Sequence, residues 1–122
     1  MKKYLIILFL FLSLTSNVSA ETKRIIVGNQ DAKITIIAYE SLTCNHCANF
    51  HEEVYPKLKK DYIDTGLAKI EFRHFPLDLA ALNAAKISQC KNNQSLKILE
   101  SLYSNQQTWV KGNTIEEVNE SL

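Results

Sequence analysis

The chain has 122 residues with 14 basic and 13 acidic side chains, a net charge of +1. Basic residues are interleaved with acids and form no long block, which argues against a nucleic-acid partner or a charged membrane surface. The length permits one small domain, near the lower end for a self-sufficient core, and no internal repeat or low-complexity linker divides it.

Met1-Lys2-Lys3 is a basic start, Tyr4 to Leu14 an apolar core, and Val18-Ser19-Ala20 places small residues before a cut site. This predicts a signal peptide over residues 1–20, cleaved after Ala20. The apolar run stops at Ser13 to Asn17, short of the roughly 20 residues that a spanning helix needs. No cysteine stands at the cut, so nothing cues lipid attachment. Cleavage removes Lys2 and Lys3 and leaves twelve basic residues against thirteen acids, a net charge of −1. The domain over 21–122 is then expected in an oxidising compartment such as the bacterial periplasm.

Arg24 to Val27, closed by Gly28-Asn29, reads as a first strand and turn. Ile34 to Tyr39 is a second strand with apolar residues on both faces, as in a strand covered on both sides. A helix is expected from Ala48 to about Tyr62, with Phe50, Val54 and Leu58 at i, i+4, i+8. Pro56 cannot donate to the carbonyl of Glu52, which predicts a kink. Asp64-Thr65-Gly66 is the exit turn, and Ala68 to Phe75 the third strand. Two strands joined by a helix form a βαβ unit, so the second and third strands should run parallel with a right-handed crossover. Asp78 is placed to cap a helix from Leu79 to about Lys91, with Ala80, Ala84, Ile87 and Cys90 near one face. A further helix from about Ser95 to Tyr103 carries Leu96, Leu99 and Leu102. Thr114-Ile115-Glu116-Glu117 is a capping box that starts another, with Ile115, Val118 and Leu122 at helical spacing.

The chemistry is concentrated at Cys44-Asn45-His46-Cys47, between the second strand and the first helix. Strand, Cys-x-x-Cys and helix in that order form the layout of a dithiol redox site. A helix N-terminus offers unsatisfied N–H groups and a positive partial charge, so Cys44 becomes the better thiolate. A static disulfide or half of a zinc site is the alternative reading. A zinc ribbon needs a second ligand pair at suitable spacing, and Cys90, His51 and His74 are scattered, so no metal is expected. Ala48 stands where haem attachment requires histidine. His51, one turn past Cys47, reads as a solvated helix residue, with approach to the site as its alternative, and His74 reads as a satisfied structural one. Cys90 reads as a buried small hydrophobe, with intermolecular pairing as its alternative. Glu40 is expected near the thiols, and Trp109 with Val110 in the packing of the later helices.

The order Val27-Gly28-Asn29, Asp31-Ala32-Lys33, Tyr39-Glu40-Ser41-Leu42-Thr43-Cys44-Asn45-His46-Cys47-Ala48, Phe50-Val54-Pro56-Leu58 and Arg73-His74-Phe75-Pro76-Leu77, followed by the alanine-rich helix with Cys90 and the helix ending near Asn105-Gln106, resembles the N-terminal part of the DsbA family of thiol:disulfide oxidoreductases. The resemblance implies a partial thioredoxin-like α/β fold with a βαβ core and a helical insertion from about residue 79. It also implies a redox pair Cys44–Cys47, tuned by His46 and Asn45, that oxidises thiols of substrate proteins, and a membrane quinone-linked partner that re-oxidises it, with no cofactor. Best-known members have proline where this chain has Asn45, which bears on the potential and not on the mechanism. Members continue with more insertion helices, a cis-proline loop facing the dithiol, a strand hairpin and a last helix. Neither Pro56 nor Pro76 stands where that cis-proline belongs. The expectation is therefore an incomplete domain with an apolar edge at Ile34 to Tyr39, open to self-pairing. Three readings follow: an exported dithiol oxidase, a truncated non-catalytic remnant of one, and, most distantly, a metal-binding module.

Overall fold

The computed structural model describes residues 24–122 apart from 92 and 113, so the leader expected over 1–20 lies outside the described residues. Strands β1 (Ile25–Gly28), β2 (Ile34–Glu40) and β3 (Ala68–His74) form one sheet in the order β1-β3-β2, with β1 antiparallel and β2 parallel to β3. The long helix α1 (residues 45–63) joins β2 to β3. Helices α2 (Leu79–Gln89), α3 (Ser95–Ser104), α4 (Gln106–Trp109) and α5 (Ile115–Ser121) follow. This is the expected βαβ unit with a helical segment after it. Among the described residues, no helix is long and apolar enough to cross a membrane.

Central β3 supplies the middle of the core. Ala68, Ile70 and Phe72 are buried, and Ile25, Leu42, Tyr55, Ile63, Ala84, Leu99, Tyr103 and Trp109 close around them. Trp109 packs in the helical segment as expected, and its Nε1 donates to the Leu102 carbonyl at 2.8 Å. Gly28 ends β1 at φ +108°, where a Cβ would stand 2.7 Å from Ile63 Cγ2 and 3.0 Å from the Ala68 carbonyl oxygen. Only glycine combines that backbone angle with such a close approach. Asp78 caps α2 as expected, its carboxylate accepting from the Ala81 N–H at 2.7 Å, and Thr114 caps α5 through the Glu117 N–H.

Four expectations need correction. Helix α1 starts at Asn45, three residues before Ala48, because Cys44 already has the extended backbone of an N-cap. Its interior widens into π-type turns at Phe50–Val54 and Lys59–Ile63, and Pro56 sits at the start of the α-helical piece Tyr55–Leu58 between them. The Tyr55 N–H reaches back five residues to the Phe50 carbonyl, so one extra residue enters the turn. The buried side is carried by His51, Tyr55 and Ile63, with Phe50 and Leu58 packed against the core, and Val54 is half exposed. In α2 the buried face is Ala80, Ala81, Ala84, Ala85 and Ser88. Ile87 turns outward, and Cys90 is exposed at the helix end, one residue past the last turn. Strand β2 is not covered on both sides among the described residues: Ile36 and Ala38 pack on the core, whereas Ile34, Ile37 and Tyr39 are exposed.

Candidate active site

Strand β2 ends at Glu40, and the loop through Ser41, Leu42 and Thr43 delivers Cys44 to the N-cap of α1. The Cys44 N–H donates to the Ser41 carbonyl at 3.1 Å. Its own carbonyl accepts from the N–H groups of Cys47 and Ala48, each at 3.1 Å, which closes the first helical turn. The loop after β3 is stitched onto this one. Phe75 N–H donates to the Glu40 carbonyl at 2.7 Å, Leu77 N–H to Ser41 Oγ at 3.3 Å, and Thr43 Oγ1 to Asp78 Oδ2 at 2.6 Å. Both thiols are free and half-buried.

Their environments differ in sign. The backbone amide of Cys47 holds the Cys44 thiol below its ordinary range against the opposing cost of burial, with help from the Cys47 thiol and the amide of His46. Burial pushes the Cys47 thiol up, and the charges of Cys44 and Glu40 add to that, with a backbone hydrogen bond at Ser41 opposing. One sulfur is thus biased toward its thiolate and the other toward its thiol. That is the asymmetry a helix N-terminus produces when one cysteine faces the free amides and the next lies inside the turn. His46 contributes its amide, while its side chain is exposed. Asn45 is also exposed, and its Oδ1 accepts from Gln107 Nε2 at 3.5 Å.

Glu40 and His51 are a buried pair at the base of the site. His51 Nε2 stands 2.8 Å from Glu40 Oε2, and their side chains are 6% and 4% exposed. The His51 ring stacks on Tyr103 at 4.2 Å between centroids and lies 5.0 Å from Phe72. This corrects the reading of His51 as a solvated helix residue. With α1 beginning at Asn45, His51 is one turn past Cys47 on the side that faces the sheet. Burial pushes the Glu40 carboxyl up, and the hydrogen bond and charge of His51 oppose it.

Gln106, at the start of α4, escaped sequence reasoning. It is 1% exposed, and its Nε2 donates to two carbonyls of the site loop, Leu42 at 2.8 Å and Cys44 at 3.1 Å. One signal was available. Leu99, Tyr103 and Gln106 follow one another at i, i+4, i+7, so a glutamine continues the buried stripe of α3, and a buried amide needs partners. His74, at the end of β3, has its Nε2 2.8 Å from Ser88 Oγ, and burial pushes its pKa down. Among the described residues, no group of three or more His, Cys, Asp or Glu side chains could hold a metal ion.

The family model described as thioredoxin matches residues 20–121. A Rickettsia bellii protein named as a protein-disulfide oxidoreductase is 33% identical over 95 residues, which cover 76% of this chain and 37% of that protein. Among solved structures, alpha-DsbA1 of Wolbachia pipientis superposes with a TM-score of 0.69 at 34% identity, over 84% of this chain and 54% of that one. A protein-disulfide isomerase from Novosphingobium aromaticivorans has a TM-score of 0.68 over 80% of this chain and 60% of that one. Its 22% identity speaks for the fold alone. The chain thus spans little more than a third of the length of such curated relatives and about half that of the solved ones.

Proposed function

The chain belongs to the DsbA family of thioredoxin-fold thiol:disulfide oxidoreductases, and from that premise we propose that Cys44 and Cys47 are its redox pair and that it oxidises the thiols of exported proteins. The observation that carries the reading is the opposite bias on the two thiols at the N-terminus of α1. In the oxidised protein a substrate thiolate attacks Cys44 Sγ, the Cys44–Cys47 bond breaks, and Cys47 leaves as a thiolate that takes up a proton. A second substrate thiolate then attacks the substrate sulfur of the mixed disulfide, and Cys44 departs as the favoured thiolate. Two electrons pass from substrate to protein, and the reduced protein carries one proton, on Cys47, with Cys44 left as the thiolate. Stabilising Cys44 as a thiolate stabilises the reduced form, which makes the disulfide a stronger oxidant.

His46 and Asn45 tune the Cys44 thiolate from the first turn of α1. Export follows from the leader over residues 1–20, and re-oxidation from a membrane quinone-linked partner. Residues 21–122 belong to one thioredoxin-like domain in this reading. A second reading, a dithiol carrier without turnover, draws on the uncovered face of β2. The discriminating experiment follows oxidation of a reduced, unfolded disulfide protein. Turnover that disappears in Cys44→Ser, with a trapped mixed disulfide in Cys47→Ser, supports the oxidase. A folded chain without turnover supports the carrier.

A further inference from the structure

Gln106 joins the helical segment to the dithiol through one buried side chain. Its Nε2 donates to Leu42 at 2.8 Å and to Cys44 at 3.1 Å, across 64 and 62 residues of sequence. These two carbonyls flank Thr43, the last residue before the N-cap. We propose that Gln106 is a positioning residue for the redox pair: by holding both carbonyls it fixes the backbone of Cys44, and with it the aim of Sγ toward the first amides of α1.

The Cys44 carbonyl already accepts from the Cys47 and Ala48 N–H groups, so the side chain of Gln106 makes it a three-donor acceptor. The Leu42 carbonyl accepts from Gln106 at the residue whose side chain is 1% exposed in the core. The loop is thereby pinned at both ends, by packing and by the amide. The same hold keeps Cys44 at φ −82° and ψ 118°, the extended conformation from which a side chain faces back over the free N–H groups of a helix. Without it, the three-residue loop regains freedom, and the Cys44 sulfur spends less time against the amides of His46 and Cys47 that favour its thiolate. Neighbouring Gln107 adds only a long contact of 3.5 Å to exposed Asn45, so it serves as the internal control.

This inference rests on the redox reading of Cys44, and its test separates the two. In the full chain with Cys90→Ser, we would measure the pH dependence of Cys44 alkylation and the redox equilibrium with glutathione for Gln106→Met, Gln106→Asn and Gln107→Ala. Gln106→Met keeps the volume and removes the donor, and Gln106→Asn keeps the donor and withdraws it by one methylene. Both are expected to raise the Cys44 alkylation midpoint by about 0.5–1 pH unit, a three- to ten-fold loss of thiolate below it, and to shift the glutathione equilibrium toward the disulfide. Gln107→Ala is expected to do neither. A structural role alone would lower the melting temperature of the Gln106 variants and leave midpoint and equilibrium unmoved, which would overturn the proposal. Should the parent itself show no shared Cys44–Cys47 transition, the redox reading fails instead, while the alkylation midpoint still tests the hold on Cys44. Should Gln106→Met fail to fold, Gln106→Asn carries the same two readouts.

Discussion

Replacing His51 with leucine is expected to cost about 3–5 kcal/mol of folding stability at neutral pH, because the change strands Glu40. The two side chains are joined at 2.8 Å, and each is more than nine-tenths buried. Leucine keeps apolar contact with Phe72 and Tyr103 but removes the side-chain partner that the buried carboxylate has among the described residues, and loss of the stacked ring adds about 0.5–1.5 kcal/mol. Protonation of Glu40 caps the cost, which places the value at the lower end, about 3 kcal/mol. For a domain of this size that lowers the melting temperature by about 12–24 °C. In a Glu40→Gln background no charge is stranded, and the same His51→Leu change should cost about 1–2 kcal/mol, giving a coupling of about 1–2 kcal/mol.

The pH dependence has a definite sign. Burial raises the folded-state pKa of Glu40, so the folded protein binds the extra proton. The stability tied to this group is fully present below the ordinary carboxylate range and is lost as pH rises through the raised value. Glu40→Gln should remove that slope. Urea unfolding followed by fluorescence of Trp109, the single tryptophan, at pH 4 and pH 7 with thiols reduced, measures all of this. A cost below about 1 kcal/mol at pH 7, or the same cost in both backgrounds, would refute the reasoning.

Glu40→Gln should also lower the pH at which Cys47 is alkylated, since a charge that opposes its thiolate is gone; peptide mapping after timed alkylation reads this, and an unchanged or higher Cys47 midpoint would contradict it. Gly28→Ala should cost about 2–4 kcal/mol, from the positive φ and the 2.7 Å approach to Ile63 Cγ2, measurable as a shift in the denaturation midpoint at constant slope. The open face of β2 and exposed Cys90 offer two routes to self-association. With thiols blocked, Ile37→Lys should shift sedimentation toward monomer, and equal association of parent and variant would remove β2 from the account.

The parts legible in the sequence are those with local signals. Asp78 and Thr114 as caps, and the parallel pairing of β2 with β3, each follow from a few adjacent residues and one rule of connection. Glu40 could be placed near the thiols by counting back along a strand. His51 could not be placed in the interior, because its burial depends on where α1 begins and on the wide turn at Phe50–Val54, which moves the buried side from Val54 to Tyr55. Gln106 lies more than sixty residues from the carbonyls it holds, a distance that no periodicity spans. Cys90 falls off the buried face because α2 ends at Gln89 and its buried stripe closes on Ser88, two residues earlier.

The central claim is that Cys44 and Cys47 exchange electrons as one pair with an oxidising bias. Equilibrating the chain in graded glutathione buffers, quenching with an alkylating reagent and reading each cysteine by mass tests it most directly. The account predicts one shared two-electron transition with a midpoint less negative than about −200 mV and Cys90 titrating apart from it. Independent transitions at the two cysteines, or a shared midpoint more negative than that, would contradict it.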